Sequence, residues 1–297
     1  MLLTELPQQI AGAISLGAVY ALFAVGYALI FGLLDVLNLA HAAIFMCGAL
    51  MAWWLMAVVL LPLPAALLMA AMVAGLLGLL TDRFAFAPLR RRAAPPLSPL
   101  IAGLALAAIV QGLAVGFFGP DAHTFPTGTI PSGAFTVGSV AVGWLQLLTA
   151  ALAIVLLLLL RWLTQASRYG RALRAIAESP RVARLLGIDV ERVIAQTFFL
   201  ASALGGVAGT LYALSVNSVA VGMDQQVELR GLAIIVLGGM GSVPGAVVGG
   251  FAMALVAVFG GSVVGAPYRD AMAFVVLFLV LVLRPGGIFG RHSLWAT

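Results

Sequence analysis

Residues 36–81 read VLNLAHAAIFMCGALMAWWLMAVVLLPLPAALLMAAMVAGLLGLLT, without one Asp, Glu, Lys or Arg. A helix needs about 20 apolar residues to cross a bilayer, so this run is too long for one crossing. Proline breaks a helix interior. Pro62 and Pro64 therefore divide the run into two spans, about 38–60 and 64–82. Upstream, residues 6–34 are also free of charge and hold a span at about 10–32. Downstream, the same reading gives spans at about 93–120, 139–161, 193–215 and 267–284. Residues 227–262 are apolar but rich in glycine.

Composition agrees. The 297 residues are 63% hydrophobic and 8% charged, with a mean hydropathy of +1.17. A soluble domain carries about 25% charged residues. The expected fold is an all-α polytopic membrane protein of about eight membrane segments, forming one transmembrane domain over 1–297. The pI of about 10.1 does not point to nucleic acid, because little soluble surface is left to bind it. Arginine loops facing an anionic leaflet account for it. Glu5 stands where a signal peptide would carry positive charge, so the first run reads as a retained helix.

Two polar stretches interrupt the pattern. Residues 119–138, GPDAHTFPTGTIPSGAFTVG, read as a loop outside the membrane with short strands or turns. Residues 163–192 are too polar to cross lipid and too apolar to be a solvated tail. Arginine placement then sets orientation. Of 15 arginines, all but Arg230 and Arg269 fall in the loop at 83–92, the segment at 161–192, or the tail at Arg284 and Arg291. These belong on the cytoplasmic side. Counting spans places the N-terminus outside and the C-terminus inside, provided residues 227–262 begin and end outside. That stretch must enter and return, or cross twice.

Within it, GLAIIVLGGMGSVPGAVVGG (231–250) brings Gly238, Gly239, Gly241 and Ser242 together just before Pro244. Broken backbone inside a membrane is tolerated where it is buried in protein or lines a wet cavity. These four residues are candidates for a pathway-lining break near mid-membrane. Gly245 and Gly249 fit equally a close helix–helix contact. Earlier in the chain, Asp35, Asn38 and His41 are spaced by three, so a helix would set them on one stripe. Either Asp35 or Asn38 caps the second helix, or the residues form a buried polar network at a pathway or subunit interface.

Chemistry is conspicuous by what is missing. There is no Lys, so no GxxxxGK phosphate loop exists. His41, His123 and His292 are far apart, and the lone Cys47 has no partner for a disulfide or zinc pattern. No catalytic set, metal site or cofactor is expected. Any ATP used would be bound by another subunit.

The polar segment carries its own signals. In RYGRALRAIAESPRVARLLG (168–187), Ala172, Leu173 and Ile176 make a small apolar face. Ser179–Pro180 starts a second helix and Gly187 ends it. Two short helices meeting at Glu178–Ser179 could lie on an anionic membrane surface or dock into a groove of a soluble partner. Small residues mixed with arginine and glutamate suit the protein groove better. Arg171, Arg174, Glu178, Ser179 and Gly187 are the candidate docking residues.

Four stretches together resemble the permease subunits of branched-chain amino-acid ABC importers, the Liv-type class. They are residues 12–49 with the Asn-x-Ala-His pattern at 38–41, DRFAFAPLR at 82–90, residues 170–198, and VLGGMGSVPGAVVGG at 236–250, with RPGGIFG at 284–290 as an echo. Ala42 and Ala43 replace the family's Gly and acidic residue after the histidine, and Asp82 and Phe86 replace its Glu and Tyr. The resemblance implies a bacterial inner-membrane importer. A second related permease would complete the pathway, two ATP-binding subunits would dock on the cytoplasmic loops, and a periplasmic binding protein would deliver substrate. Branched-chain amino acids are the default cargo, with urea, amides and some aromatic acids also served by the class. Two other readings stand beside it: a gradient-driven secondary transporter or channel using Asp35 and His41, and a structural subunit without a pathway.

Overall fold

The computed structural model describes residues 2–95, 97–126, 128, 133–137, 140–265, 268–284 and 286–289. Arg291 and His292 lie outside the described residues. Helices dominate: α1 (Leu2–Leu34), α2 (Ala40–Ala57), α3 (Leu63–Thr81), α4 (Ala87–Arg91), α5 (Ser98–Phe118), α6 (Trp144–Gln165), α7 (Arg168–Glu178), α8 (Pro180–Leu185), α9 (Val190–Val216), α10 (Met223–Gly238), α11 (Val243–Val264) and α12 (Arg269–Leu283). A π-helical turn, Asp82–Phe86, joins α3 to α4, so these elements run on as one rod from Leu63 to Arg91. Among the described residues, seven helical stretches are long and apolar enough to cross a membrane. α10 and α12 are shorter, at 16 and 15 residues.

The expected divisions hold where charge gaps and prolines set them. Pro62 is the N-cap residue of α3. The fifth span starts later than expected, at Trp144, because β2 (Val140–Gly143) pairs with β1 (Ala134–Val137) in an antiparallel ribbon. This ribbon is the short-strand content of the Gly- and Pro-rich loop.

Contacts sort the helix termini into two ends. At one end the Gln8 side chain exchanges hydrogen bonds with the Ala141 backbone at 2.8 and 3.0 Å. There too Trp53 Nε1 donates to the Thr124 carbonyl at 3.0 Å, and the His123 and Val219 backbones pair. The opposite end is rich in arginine. There Arg90 joins α4 to the starts of the π turn and α9 through Asp82 at 2.5 Å and Glu191 at 3.0 Å.

Burial identifies the centre. The best 18-residue windows of α1, α2 and α9 are 83%, 72% and 67% buried, against 17% in α5 and 22% in α6. A helix apolar all round belongs in a core or in lipid, and these helices divide accordingly. Close packing at the centre depends on missing side chains. A Cβ on Gly48 of α2 would run into the backbone of Gly206 of α9. Thr210 adds a hydrogen bond to the Gly48 carbonyl at 3.3 Å. Leu22, Phe23, Ile30, Phe45, Leu50 and Phe198 fill the remaining space, each under 2% exposed.

Candidate functional site

The link between α1 and α2 does not continue as a helix. Asp35 takes φ +55°, ending α1, and residues 36–39 are irregular. The expected stripe of Asp35, Asn38 and His41 is therefore not formed. Asp35 stays exposed, whereas Asn38 is 1% and His41 0% exposed. Neither Asp35 nor Asn38 caps α2: its N-cap residue is Leu39, without a side-chain hydrogen bond. What binds the turn is backbone, the His41 N–H donating to the Asn38 carbonyl at 3.0 Å.

This link carries the chain back into the core. The His41 ring lies against Gly26 of α1 and against Gly205, near the midpoint of α9. It stacks on Phe23 at 5.1 Å and meets Tyr27 edge-on at 4.8 Å. Its Nε2 is 3.3 Å from the Phe23 carbonyl. The carbonyl can only accept, so this contact assigns the proton to Nε2 and leaves Nδ1 an acceptor. His41 Nδ1, both polar atoms of the Asn38 side chain and the Tyr27 hydroxyl are buried without a hydrogen-bond partner among the described residues. Buried polar atoms are normally satisfied. These buried atoms are hydrogen-bonding groups left unpaired inside the bundle. The Asp35–His41 pair that ion coupling would need is not assembled.

The glycine break sits elsewhere. A Cβ on Gly32, near the end of α1, would approach the Gly241 carbonyl at 2.9 Å. Along α1, Gly32 is six to nine residues beyond the Phe23–Gly26 level, or about 9–14 Å at 1.5 Å per residue. Gly238 to Ser242 form the turn between α10 and α11, beside the end of α1 and on the arginine-rich side of the Phe23–Gly26 level. Gly239 and Gly241 take φ +101° and +78°, open to glycine at little cost. Ser242 caps α11, its Oγ accepting from Gly245 N–H at 3.1 Å. Gly245 and Gly249 pack against the backbone of Gly238 and Ile234 in α10, which is the helix-contact reading. The tail closes over the turn: Ile288 and Phe289 N–H donate to the Leu237 and Gly238 carbonyls at 2.8 and 3.0 Å.

The polar segment forms the two expected helices. Ser179 ends α7 and caps α8, accepting from Val182 N–H at 3.4 Å, with Pro180 in the first turn. Gly187 takes φ +79° in the turn after α8, and Asp189 caps α9 through Arg192 N–H at 3.1 Å. Glu178 is exposed. Arg174 and Arg171 turn back onto α6, donating to the Thr164 and Ala166 carbonyls at 2.5 and 3.4 Å. They satisfy the helix end there. Ile176 is buried, and the Tyr169 hydroxyl meets Thr197 Oγ1 of α9 at 2.7 Å. Burial pushes that hydroxyl above its ordinary range, against the opposing hydrogen bond to Thr197. α8 remains bare: Leu185 is 87% and Leu186 72% exposed.

Residues 9–283 match the family described as branched-chain amino acid transport system / permease component. The chain belongs to that family. Relatives extend over nearly the full length. It is 32% identical to the high-affinity branched-chain amino acid transport system permease protein BraD of Pseudomonas aeruginosa, over 96% of this chain and 95% of that one. It is 29% identical to LivH of Escherichia coli K12, with the same coverage. A probable LivH of Methanocaldococcus jannaschii is 27% identical over 98% of this chain and 95% of its own length. The permease therefore has a transport fold, and its polar core and bare α8 are the features to interpret.

Some polar residues of this permease were invisible as partners in the sequence. Asp224 of α10 is 2% exposed and accepts from Gln111 Nε2 of α5 at 2.5 Å. Arg230 donates to the hydroxyls of Tyr20 and Tyr212 at 3.2 and 3.3 Å. The Asp224–Gln111 and Arg230–Tyr20 pairs join helices 113 and 210 positions apart, and no local spacing announces them. Leu185 and Leu186 did have a signal: two adjacent leucines at the end of a six-residue helix too short to bury both.

Proposed function

We propose that the chain is one half of the translocation pathway of an ATP-binding-cassette importer for branched-chain amino acids or related small polar solutes. In this reading α7 and α8 are the coupling element on which an ATP-binding subunit docks, and a second related permease faces the polar core. Two ATP-binding subunits and a periplasmic substrate-binding protein complete the assembly. The arginine-rich end faces the cytoplasm of the inner membrane, with the C-terminus inside and the N-terminus outside.

The observation that carries the reading is the α7–α8 pair. Its base is fixed to the bundle by Ile176 and by Tyr169 on Thr197, while Leu185 and Leu186 stand free. A rigid base with an apolar tip suits a lever pushed by a partner groove. The candidate docking set shifts accordingly: Leu185 and Leu186 make the contact, Glu178 lies beside it, and Ser179 and Gly187 shape the helices. Arg171 and Arg174 hold α7 on α6. In transit, Asn38 and His41 offer hydrogen bonds to a polar solute, while Asp35 and the turn Gly238–Ser242 lie toward the cytoplasmic mouth.

Affinity purification through a C-terminal tag from native membranes tests the assembly. ATP-binding subunits and a second permease are expected to co-purify. A chain that comes out alone, under conditions that keep other importers intact, and that moves solute down an ion gradient without ATP would contradict it.

A further inference from the structure

Two cavities lie side by side near the arginine-rich end, sharing Leu79 of α3 and Ala195 of α9. The first, about 470 Å³, is lined by Asp82, Arg83, Phe84, Pro88, Arg91 and Glu191 among others. The second, about 520 Å³, is walled mainly by Leu163, Phe199, Leu200 and Tyr169, with Arg192 and Gln196. The two adjoin at these shared wall residues and form a surface groove, its first part lined by most of the charged groups and its second mainly by apolar ones.

The charge is unbalanced for a local reason. Asp82 and Glu191 are both engaged by Arg90, at 2.5 and 3.0 Å. Arg83, Arg91 and Arg192 are exposed and form no ion pair among the described residues. The π-helical turn helps to arrange this, since it buries Asp82 while Arg83 and the 71%-exposed Phe84 face outward. Such turns often mark functional positions. Trp162, 61% exposed in the last turn of α6, is next in sequence to Leu163 of the apolar wall. Exposed tryptophan concentrates at the headgroup level of a bilayer. Arg90 offsets only one of the two carboxylates it engages, so Arg83, Arg91 and Arg192 leave a net charge of about +2 along the two cavities. A net positive lining beside an apolar wall fits a ligand with an anionic phosphate head and a hydrocarbon tail. A soluble anion has no use for the trough, and a neutral lipid has none for the arginines.

We propose that this groove binds an anionic phospholipid, with its phosphate among Arg83, Arg91 and Arg192 and an acyl chain along Leu79, Phe199 and Leu200. Tyr169 belongs both to the trough and, through Thr197, to the joint between α7 and α9. Lipid in the groove buttresses the base of α7. The proposal stands on the membrane fold and is independent of which solute is transported.

Native mass spectrometry of the full chain tests it, using dioleoyl phosphatidylglycerol against dioleoyl phosphatidylcholine. Phosphatidylglycerol is expected to bind preferentially. Arg83→Gln and Arg91→Gln should each weaken that binding about fivefold, the usual worth of one basic side chain at an anionic lipid surface, and leave phosphatidylcholine unchanged. Leu79→Trp, which adds bulk to a wall shared by both cavities, should lower retention of phosphatidylglycerol with all arginines in place. Arg181→Gln with Arg184→Gln, on α8 away from the groove, should change nothing. Equal retention of the two lipids would overturn the proposal. So would an equal loss from the α8 pair, which would reduce the effect to general charge, or full displacement by inorganic phosphate, which would leave an anion site without a lipid.

Discussion

Two links interrupt the long helices, and they turn in opposite directions. Residues 35–39, between α1 and α2, turn inward and place Asn38 and His41 in the core. Residues 166–189, between α6 and α9, turn outward and present Leu185 and Leu186. The inward link has no side-chain cap and leaves polar atoms unsatisfied. The outward one is capped at each step by Ser167, Ser179 and Asp189. Water can satisfy a helix end at a surface, so caps there set the geometry of the segment. In the core, tertiary packing must do that work, and in the proposed reading the polar groups left over meet a passing solute. One link reads as the place where solute passes and the other as the place where force is applied.

The strongest way to break the comparison is to spoil the packing that lets the inward link exist. Gly48→Leu or Gly206→Leu forces a side chain into facing backbone, where overpacking costs about 3 kcal/mol or more. Size-exclusion chromatography in detergent should show loss of the monodisperse species; a normal profile would mean that α2 and α9 are not close-packed. Next comes the outward link. Leu185→Asp with Leu186→Asp should lower uptake more than about tenfold and release the ATP-binding subunits. Stability should change by no more than about 0.5 kcal/mol, as at other surface sites. Retained subunits and normal uptake would assign the leucines to the membrane surface.

Asn38→Leu sharpens the contrast further. Removing buried polar atoms that have no partner should keep or raise stability, by about 1 kcal/mol, yet reduce uptake several-fold. A fall in melting temperature with uptake preserved per folded molecule would make Asn38 structural. The smallest effect belongs to the caps. Ser179→Ala should cost about 1 kcal/mol of local helix stability, seen as faster amide exchange across α8 alone.

Much of this architecture was legible because lipid punishes charge. Gaps between charged residues gave the spans, Pro62 and Pro64 the division of 36–81, and arginine clustering the grouping of helix ends. The two short helices were legible because Ser179–Pro180 and Gly187 act locally. The inward link was not. Spacing by three suggested a helical stripe, but Asp35 adopts φ +55°, and the link packs on partners distant in sequence, Leu39 and Ala40 on Gly103 of α5 and His41 on Gly205 of α9. The glycine break was legible as a break, but its place beside the end of α1 was not, because that follows from the packing of Gly241 on Gly32 rather than from local sequence. Arg171 and Arg174 looked like surface charges until α6 supplied the carbonyls they cover.

The central claim is that α8 meets an ATP-binding subunit, and a cross-link tests it most directly. Cys47 is the only cysteine in the chain, so Cys47→Ala with Leu186→Cys places a single thiol on α8. A short bifunctional thiol-to-amine reagent is then applied to native membranes and the products are identified by mass. An adduct between the 30.7 kDa chain and an ATP-binding subunit, changing in yield when ATP is added, is the predicted result. No such adduct, with the subunit instead linked from a single cysteine placed on the opposite end of the bundle, would contradict the account.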